Sequence, residues 1–558
     1  MSTATSPPNV VSAAAAAGPV GTGAGPAVPT AGGTPRTPTR VDRWRHSRPL
    51  TVAIGGLLAV GVGVVEVLYR LPPVPFDQVN YFDAAWGFPS HTSYISDHQV
   101  LRHGLTVPIR MAQELFGYSQ AAFLAVPILS GVLLAVSVYV IGLLLFNRTV
   151  GFAAAVLTVG NSVVFPNLTT PLPDVLATAL MCAALAVALA LRQRRLLVAG
   201  TRRREIVALL IVGALLGWSY LAREYMVFVW PLIPLMLIRR VRMIRLGWLI
   251  VPLLVVGGGE ALLNTLAYGD PLARLHVAAH HGDGPPLSDE PWRNEHLGHS
   301  AQWYLTRLAA IVGAAPEALW LKAAVAATVV GAFFHRRIGF LLVWALLFYV
   351  PLVALGGLLD PYQPRLRINV QRYWLPLIPA IVLALVAVTW LLVSNRARVV
   401  PFLRERARLR SALASLAVLA AVAVPVGLAQ HARATGDTDP YARYAANGAT
   451  ELEDFRSWLQ RTDSVDTLWA NPSTNRVVGI YLNPTFGRPA WDGELTVWHR
   501  VDDPQPGDHV VLYSARTPTC GGCMAHAQNI LGDPVRIPAS WRLVFQANDR
   551  QVEVYRVR

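Results

Sequence analysis

Two aspartates beside apolar runs are the residues of this sequence best suited to chemistry. Asp77 lies a few residues beyond the first apolar run. Near a membrane surface, its carboxylate could accept a proton from a hydroxyl that acts as a nucleophile, although a solvated loop aspartate is the alternative. Asp174 opens a later apolar run, and an acid at membrane depth is costly enough to indicate function, although it would also cap a helix. Asp77 and Asp174 are therefore the candidate catalytic residues.

Three arginines in one short segment are candidates for binding an anion. Arg365, Arg367 and Arg372 lie within ten residues, and Arg372 begins an apolar run next to Tyr373. Guanidinium groups bind phosphate through paired, charge-assisted hydrogen bonds. Contact with anionic lipid headgroups is the alternative, above all for Arg365. Arg372 and Tyr373, with Arg367, are therefore predicted to bind substrate.

Other charged residues sit at less informative positions. Arg223 and Glu224 lie between two apolar runs, where they could bind substrate, pair with each other or mark a turn. His103 is a weaker candidate for substrate binding. Glu66 and Glu260 are acids inside apolar runs; Glu66 is near the end of its run and could reach the interface, whereas Glu260 is deeper.

The elements that must position these residues are transmembrane helices. The chain has 558 residues, of which 53% are hydrophobic and only 15% are charged, and its mean hydropathy is +0.41. A soluble protein would need more charge to cover its surface. About eleven apolar runs long enough for a helix predict membrane spans: 51–69, 119–146, 150–166, 173–191, 206–222, 225–238, 246–267, 316–334, 338–357, 373–394 and 412–429.

Basic residues predict the orientation of the spans. The net charge of +15 is concentrated in short clusters between spans, which is typical of cytoplasmic loops and not of nucleic-acid binding. With the N-terminus in the cytoplasm, the basic loops around residues 148, 192–204, 239–245, 336–337 and 396–410 all face inward. The segments 71–118, 268–303 and 358–372 then face outward, which makes the arginines of the last one an exception to the rule.

The predicted fold is an α-helical polytopic membrane protein with a small C-terminal α/β domain outside the membrane. Residues 1–48 are rich in Ala, Gly, Pro, Thr and Ser and are predicted to be a disordered cytoplasmic tail. The transmembrane domain covers 49–429. In 430–558 the sequence predicts a helix at 450–460 and strands at 467–470, 509–514, 542–546 and 551–557, the last two forming a hairpin.

Two of the three cysteines are close together in this C-terminal domain. Cys520 and Cys523 flank two glycines. A local disulfide is the leading interpretation for an oxidising location. A zinc site would need two further ligands, of which only His526 is a plausible one.

The order of these features resembles the GT-C membrane glycosyltransferases, particularly the protein O-mannosyltransferases and the lipid A aminoarabinose transferase. The resemblance covers roughly 50–395. An acid early in the first outer loop and a second acid near the fourth span match the family's pattern, as do several short stretches: Leu115–Ser119, Gly131–Leu134, Gly151–Ala155, Tyr268–Leu272 and Arg372–Pro376.

The resemblance implies a role for each matching residue. Asp77 falls at the family's catalytic position, and Asp174 at that of the second acid. Arg372 begins a stretch whose arginine is implicated in binding the phosphate of the donor. No metal-binding motif stands out in the first outer loop, so no cofactor is implied apart from the lipid-linked donor. The C-terminal domain does not match the β-trefoil of the eukaryotic mannosyltransferases, so the resemblance does not identify the acceptor.

The implied function is transfer of a sugar outside the cytoplasm of a bacterial cell. Nucleotide sugars are not present there, so a polyprenyl phosphate in the cell membrane would carry the sugar to a glycan, lipid or protein acceptor. Asp77 would act as the base and the anomeric centre would be inverted. A transporter or flippase would also explain the spans, but less well the long outer segments, and no internal repeat is evident. A non-catalytic envelope scaffold is a third possibility.

Overall fold

The computed structural model describes residues 48–69, 77–89, 98–168, 170–193, 202–280, 297–396, 402, 406–435, 451–462, 464–482, 491–515, 520–547 and 550–558. The predicted disordered tail lies outside these residues, except for Arg48. Within the described part, eight helices are long and apolar enough to cross a membrane, and the protein is therefore a multi-pass membrane protein. Three shorter apolar helices, Arg148–Gly160, Glu224–Leu237 and Ala318–Phe334, coincide with the remaining predicted spans.

The described chain is mainly helical up to the C-terminal domain. Its helices, numbered in chain order, are α1 Arg48–Leu68, α2 Asp77–Trp86, α3 His103–Phe116, α4 Gln120–Leu145, α5 Arg148–Gly160, α6 Phe165–Leu168, α7 Pro173–Gln193, α8 Arg202–Ala222, α9 Leu232–Leu237, α10 Met243–Leu246, α11 Ile250–Tyr268, α12 Ala273–His280, α13 Ala301–Gly313, α14 Ala318–Phe334, α15 Arg336–Val353, α16 Ile378–Arg396 and α17 Ala407–Thr435. Shorter 3₁₀ or π segments are His98–Leu101, Glu224–Val229, Gly247–Leu249, Ala354–Leu358 and Gln371–Leu377.

The centre of the bundle is α7, which packs against α4 and α8. Almost the whole apolar stretch of α7 is buried in protein, whereas most of the apolar stretch of α1 and of α11 is not. The alanines of α7 allow this burial, since small side chains let neighbouring helices approach closely in a membrane. Glycine does the same between α4 and α5, because a Cβ on Gly142 would stand 2.5 Å from the Cα of Gly151. Asp174 therefore begins the most enclosed helix.

Helices α2 and α3 lie between α1 and α4 in the chain, and α3 packs against α4 and α8. Asp77 is the first residue of α2, and the 3₁₀ turn His98–Leu101 packs against this helix. Gly104, near the start of α3, abuts the backbone of α8, and its carbonyl accepts a 3.0 Å hydrogen bond from the Trp218 indole. These contacts hold Asp77 beside the end of α8.

The C-terminal domain contains a mixed five-stranded sheet with helices. Its elements are α18 Glu451–Leu459, β1 Thr467–Ala470, α19 Pro472–Leu482, β2 Glu494–Val497, β3 His509–Tyr513, α20 Gly521–Leu531, β4 Trp541–Gln546 and β5 Val552–Val557. The strand order is β2-β1-β3-β5-β4, in which β1 runs parallel to β2 and β3 while β5 is antiparallel to β3 and β4.

The structure confirms most predictions for this domain. The helix at 450–460, the four predicted strands and the final hairpin are present, and a disulfide joins Cys520 and Cys523, whose Cα atoms are 5.2 Å apart. The sequence did not predict β2, α19 or α20. The strand β2 is short and its side chains are only partly buried, so it lacks the alternating pattern that identifies longer strands.

Candidate active site

Among the described residues, Arg372 and Gln99 hold Asp77 at the start of α2. One carboxylate oxygen, Oδ2, contacts the guanidinium of Arg372, which comes from the 3₁₀ segment that precedes α16. The other oxygen, Oδ1, accepts a 3.0 Å hydrogen bond from the side-chain amide of Gln99. About 30% of the Asp77 side chain and 22% of the Arg372 side chain remain exposed, so other molecules can still reach this pair.

Asp174 lies behind Arg372 in a fully buried cluster of charge. Its carboxylate forms 3.0 Å contacts with the guanidinium of Arg223 and accepts a 2.6 Å hydrogen bond from the Tyr225 hydroxyl. Arg372 Nε stands 3.8 Å from the same carboxylate. The first turn of α7 also places its positive dipole end here. Two acids and two arginines thus alternate from Asp77 through Arg372 and Asp174 to Arg223.

A cavity of about 340 Å³ opens beside this cluster. Its charged and polar lining residues are the arginines Arg102, Arg223, Arg274 and Arg365, the acid Glu224 and the tyrosines Tyr220, Tyr225 and Tyr373. Its apolar lining residues, together called the apolar wall, include Leu101, Val227, Phe228, Leu275, Leu355 and Leu366. A cavity that combines several cations with an apolar wall suits a ligand with an anionic group and a hydrocarbon tail.

Glu224 joins two of the cavity arginines. It contacts Arg102 from the first outer segment and lies 3.3 Å from Arg274, which also forms a 2.8 Å ion pair with Glu260. Burial, together with the nearby Arg223 and Arg274, lowers the pKa of Arg102 to about 10, which still leaves it protonated at neutral pH. The arginines of the described cavity lining outnumber its one carboxylate, so the cavity favours an anion.

The structure brings together most of the residues predicted from the sequence. Asp77, Asp174, Arg223 and Arg372 form one cluster, while Glu224 and Tyr373 line the adjoining cavity. Arg223 and Glu224 do not pair with each other, because each has a separate partner of opposite charge. The suggested mutual ion pair is therefore wrong.

Two other predicted residues are placed differently. His103 is buried and its Nε2 lies 2.8 Å from the Asn264 side-chain oxygen, so it connects α3 to α11 and does not line the described cavity. Arg367 is exposed and is likewise not part of the cavity lining, whereas Arg365 is. In 268–303, His276 pairs with Asp270, while His281 and Trp292 lie outside the described residues.

Several residues of the site were missed by the sequence interpretation: Gln99, Arg102, Tyr225 and Arg274. Gln99 is a neutral side chain in an irregular segment, and Tyr225 resembles an ordinary aromatic residue of an apolar run. Arg102 and Arg274 offered a better signal, because both are arginines in segments predicted to face outward. In the described part of the chain, no group of three His, Cys, Asp or Glu residues could hold a metal ion.

Known proteins resemble this chain in one segment and in its fold. Residues 107–257 match the model of the family described as dolichyl-phosphate-mannose-protein mannosyltransferase. Comparison with curated protein sequences gave no match. The structure is similar to that of ArnT from Cupriavidus metallidurans bound to undecaprenyl phosphate, with a TM-score of 0.53, 13% identity and coverage of 91% of this chain and 98% of ArnT. The apo form of ArnT gives the same TM-score at 14% identity, with coverage of 90% and 97%.

An oligosaccharyltransferase from Archaeoglobus fulgidus, in complex with Zn and sulfate, is more distant. Its TM-score is 0.49 at 13% identity, with coverage of 91% of this chain and 73% of that protein. The chain therefore shares the fold of ArnT, and residues 107–257 match a family of mannosyltransferases. The fold implied by the resemblance noted in the sequence is thereby confirmed.

Proposed function

We propose that the protein transfers a sugar from a polyprenyl phosphate to a hydroxyl group of an acceptor outside the cytoplasm. The acceptor class is a cell-envelope glycan, lipid or protein. The observation that carries the proposal is the contact between Asp77 and Arg372, which lie 295 residues apart in the chain. It joins a carboxylate that can take a proton to a cation that can stabilise a phosphate leaving group, beside a cavity with an apolar wall.

The reaction follows from the roles of these two groups. Asp77 removes the proton of the acceptor hydroxyl as its oxygen attacks the anomeric carbon of the sugar. The bond from that carbon to the phosphate oxygen breaks, and the oxygen leaves with the bonding electrons. A single in-line displacement inverts the anomeric centre. Arg372 has five N–H donors, so it can hold the departing phosphate while it remains close to Asp77.

The cavity suits the lipid part of such a donor. Arg102, Arg223 and Arg274 would face the phosphate, and the apolar wall would accept the first isoprenoid units. ArnT, which shares the fold, was captured with undecaprenyl phosphate, and the matched family is described by a dolichyl-phosphate sugar. Both relatives support a lipid phosphate as the carrier. Asp174 would hold Arg223 and Arg372 in place through its buried contacts.

The test is transfer by the full-length protein in proteoliposomes. Undecaprenyl phosphates that carry mannose, arabinose or galactose are the donors, and envelope extract from cells that lack the protein supplies acceptors. We expect Asp77→Asn to lower transfer by a factor of about 10² to 10⁴, the usual contribution of a general base. Asp83→Asn, the same change at an exposed position of α2, is the control and should keep its activity. Unchanged transfer by Asp77→Asn would remove the base from the mechanism.

Donor affinity tests the cation separately. A hydrogen bond to a charged group contributes roughly 1.5–3 kcal/mol, so Arg372→Ala should weaken binding of undecaprenyl phosphate by about 10- to 100-fold. Binding is measured by the shift in thermal stability of the solubilised protein as the lipid is titrated. Arg110→Ala, at a half-buried arginine that pairs with Glu114, provides the matched control. Equal affinity in the Arg372→Ala and wild-type proteins would contradict the role of Arg372.

A further inference from the structure

Gln99 is a buried amide whose only role in the proposed reaction would be through Asp77. It is 3% exposed, and its Nε2 donates a 3.0 Å hydrogen bond to Asp77 Oδ1. We propose that Gln99 is a positioning residue, which holds the carboxylate of Asp77 in the orientation that proton removal requires. The inference rests on the proposed function, since it assigns a task to the same carboxylate.

The two oxygens of Asp77 have chemically different partners. Oδ2 faces the guanidinium of Arg372, whose positive charge disfavours addition of a proton to that oxygen. Oδ1 faces an amide that carries no charge. Gln99 thus holds one oxygen of the carboxylate and Arg372 the other, which together fix the plane of the carboxylate.

The turn that carries Gln99 is firmly anchored. Val100 and Leu101 are each 2% exposed and pack with Ala84 of α2 and Ala273 of α12. The Gln99 carbonyl accepts a 3.1 Å hydrogen bond from the backbone N–H of Arg102. A side chain on such a support loses little entropy when it fixes a neighbour, which is what a positioning residue requires.

The same turn connects the base to the cavity. Gln99 binds Asp77, and three residues later Arg102 contacts Glu224 in the cavity wall, with a 3.0 Å hydrogen bond from its second nitrogen. One short segment therefore carries both the group that orients the base and a cation that would face the donor phosphate. The orientation of Asp77 is thus set relative to the place where the donor would bind.

The charged groups near Asp77 determine the expected effect of substitutions. Arg372 contacts it directly, with Asp174 and Arg223 behind, Arg102 contributes from the turn, and Tyr81 lies on α2 itself. Gln99→Glu adds a second carboxylate at hydrogen-bond distance from Asp77, which opposes loss of its proton. The base must be deprotonated to act, so activity falls as the pH drops below its pKa. This fall, the acid limb of the pH–activity profile, should move to higher pH by about 1 unit or more.

Gln99→Ala removes the donor without adding charge. Its acid limb should move in the same direction by a smaller amount, and kcat should fall by about 10-fold, while the affinity for undecaprenyl phosphate stays within 2-fold of wild type. Gln113→Ala and Gln113→Glu are the matched controls, since Gln113 is a fully buried glutamine on α3. Neither control should move the acid limb.

The decisive measurement is the pH profile of kcat/KM for sugar transfer by the full-length variants in proteoliposomes. An upward shift in Gln99→Glu and Gln99→Ala, without a shift in the Gln113 variants, supports the inference. A pH profile of Gln99→Ala equal to that of the wild-type protein overturns the inference, whether or not Gln99→Glu folds. If Asp77→Asn is inactive and the Gln99 profiles are unshifted, the positioning role alone fails. If Asp77→Asn keeps full activity, Asp77 is not the base, and if the wild-type protein transfers no sugar, the proposed function fails.

Discussion

At the scale of single residues, Asp174 is a fully buried charge that requires a partner of opposite charge. Its carboxylate has no exposure, and Arg223, which pairs with it, has almost none. Neither ion could remain so deeply buried without the other, because a lone buried charge costs several kcal/mol. The pair accounts for the position of Arg223, and through Arg372 it contributes to the position of Asp77.

We therefore expect Asp174→Asn to reduce stability and activity together. Breaking a buried ion pair costs roughly 3–5 kcal/mol, so the apparent midpoint of thermal unfolding in detergent should fall clearly. Tyr225→Phe removes one hydrogen bond and leaves the pair, so its decrease should be smaller. An Asp174→Asn protein with the wild-type midpoint but no transfer would instead show that Asp174 acts directly in the reaction.

At the scale of elements, the site depends on a close contact between α3 and α8. A Cβ on Gly104 would lie 2.5 Å from the carbonyl carbon of Leu221 and 2.7 Å from the Cα of Ala222. These are backbone atoms that cannot rotate away. Arg223 follows Ala222 directly, so any separation of the two helices displaces the arginine that pairs with Asp174.

Gly104→Ala tests this contact. Overpacking typically costs about 1–3 kcal/mol, and we expect lower thermal stability and slower transfer in the same variant. Gly258→Ala in α11 is the control, since no atom of another described element lies within 4 Å of the Cβ it would add, and alanine in a helix is better than glycine by about 0.5–1 kcal/mol. Equal midpoints and transfer rates for Gly104→Ala and wild type would show that the helices can separate without cost.

At the scale of the whole molecule, the C-terminal domain reaches α2, the helix that begins with the proposed base, Asp77. Helix α19 packs against α2, and the Arg476 guanidinium contacts the side-chain oxygen of Asn80. Asn80 lies about one helical turn from Asp77 on α2. The domain is thus in a position to restrain α2.

Arg476→Glu should reduce kcat several-fold and leave the thermal midpoint nearly unchanged, because Arg476 is exposed and exposed polar contacts contribute only about 0–1 kcal/mol. Transfer rate and midpoint are measured on the full chain, with Arg536→Glu, at another exposed arginine of the domain, as the control. A rate equal to that of the control would mean that this contact does not restrain α2.

Much of the fold could be predicted because its signals are local. An apolar run long enough to span a bilayer must be helical, since only a helix satisfies its backbone within one segment. The hairpin formed by β4 and β5 was predicted for a similar reason, because both strands are adjacent in the chain. The short strand β2 pairs with β1 across an intervening helix, and nothing in its four residues indicates that partner.

The sequence by itself determined that the protein is a polytopic membrane protein with a C-terminal α/β domain, and it indicated Asp77, Asp174 and Arg372 by their types and positions. Only the tertiary structure decided that these three residues meet, that Glu224 pairs with Arg102 and Arg274, and that Gln99 holds the carboxylate of Asp77. The physical reason is distance along the chain. Apolar length and charge are properties of a segment, whereas an ion pair between residues 77 and 372 exists only after several helices have packed together.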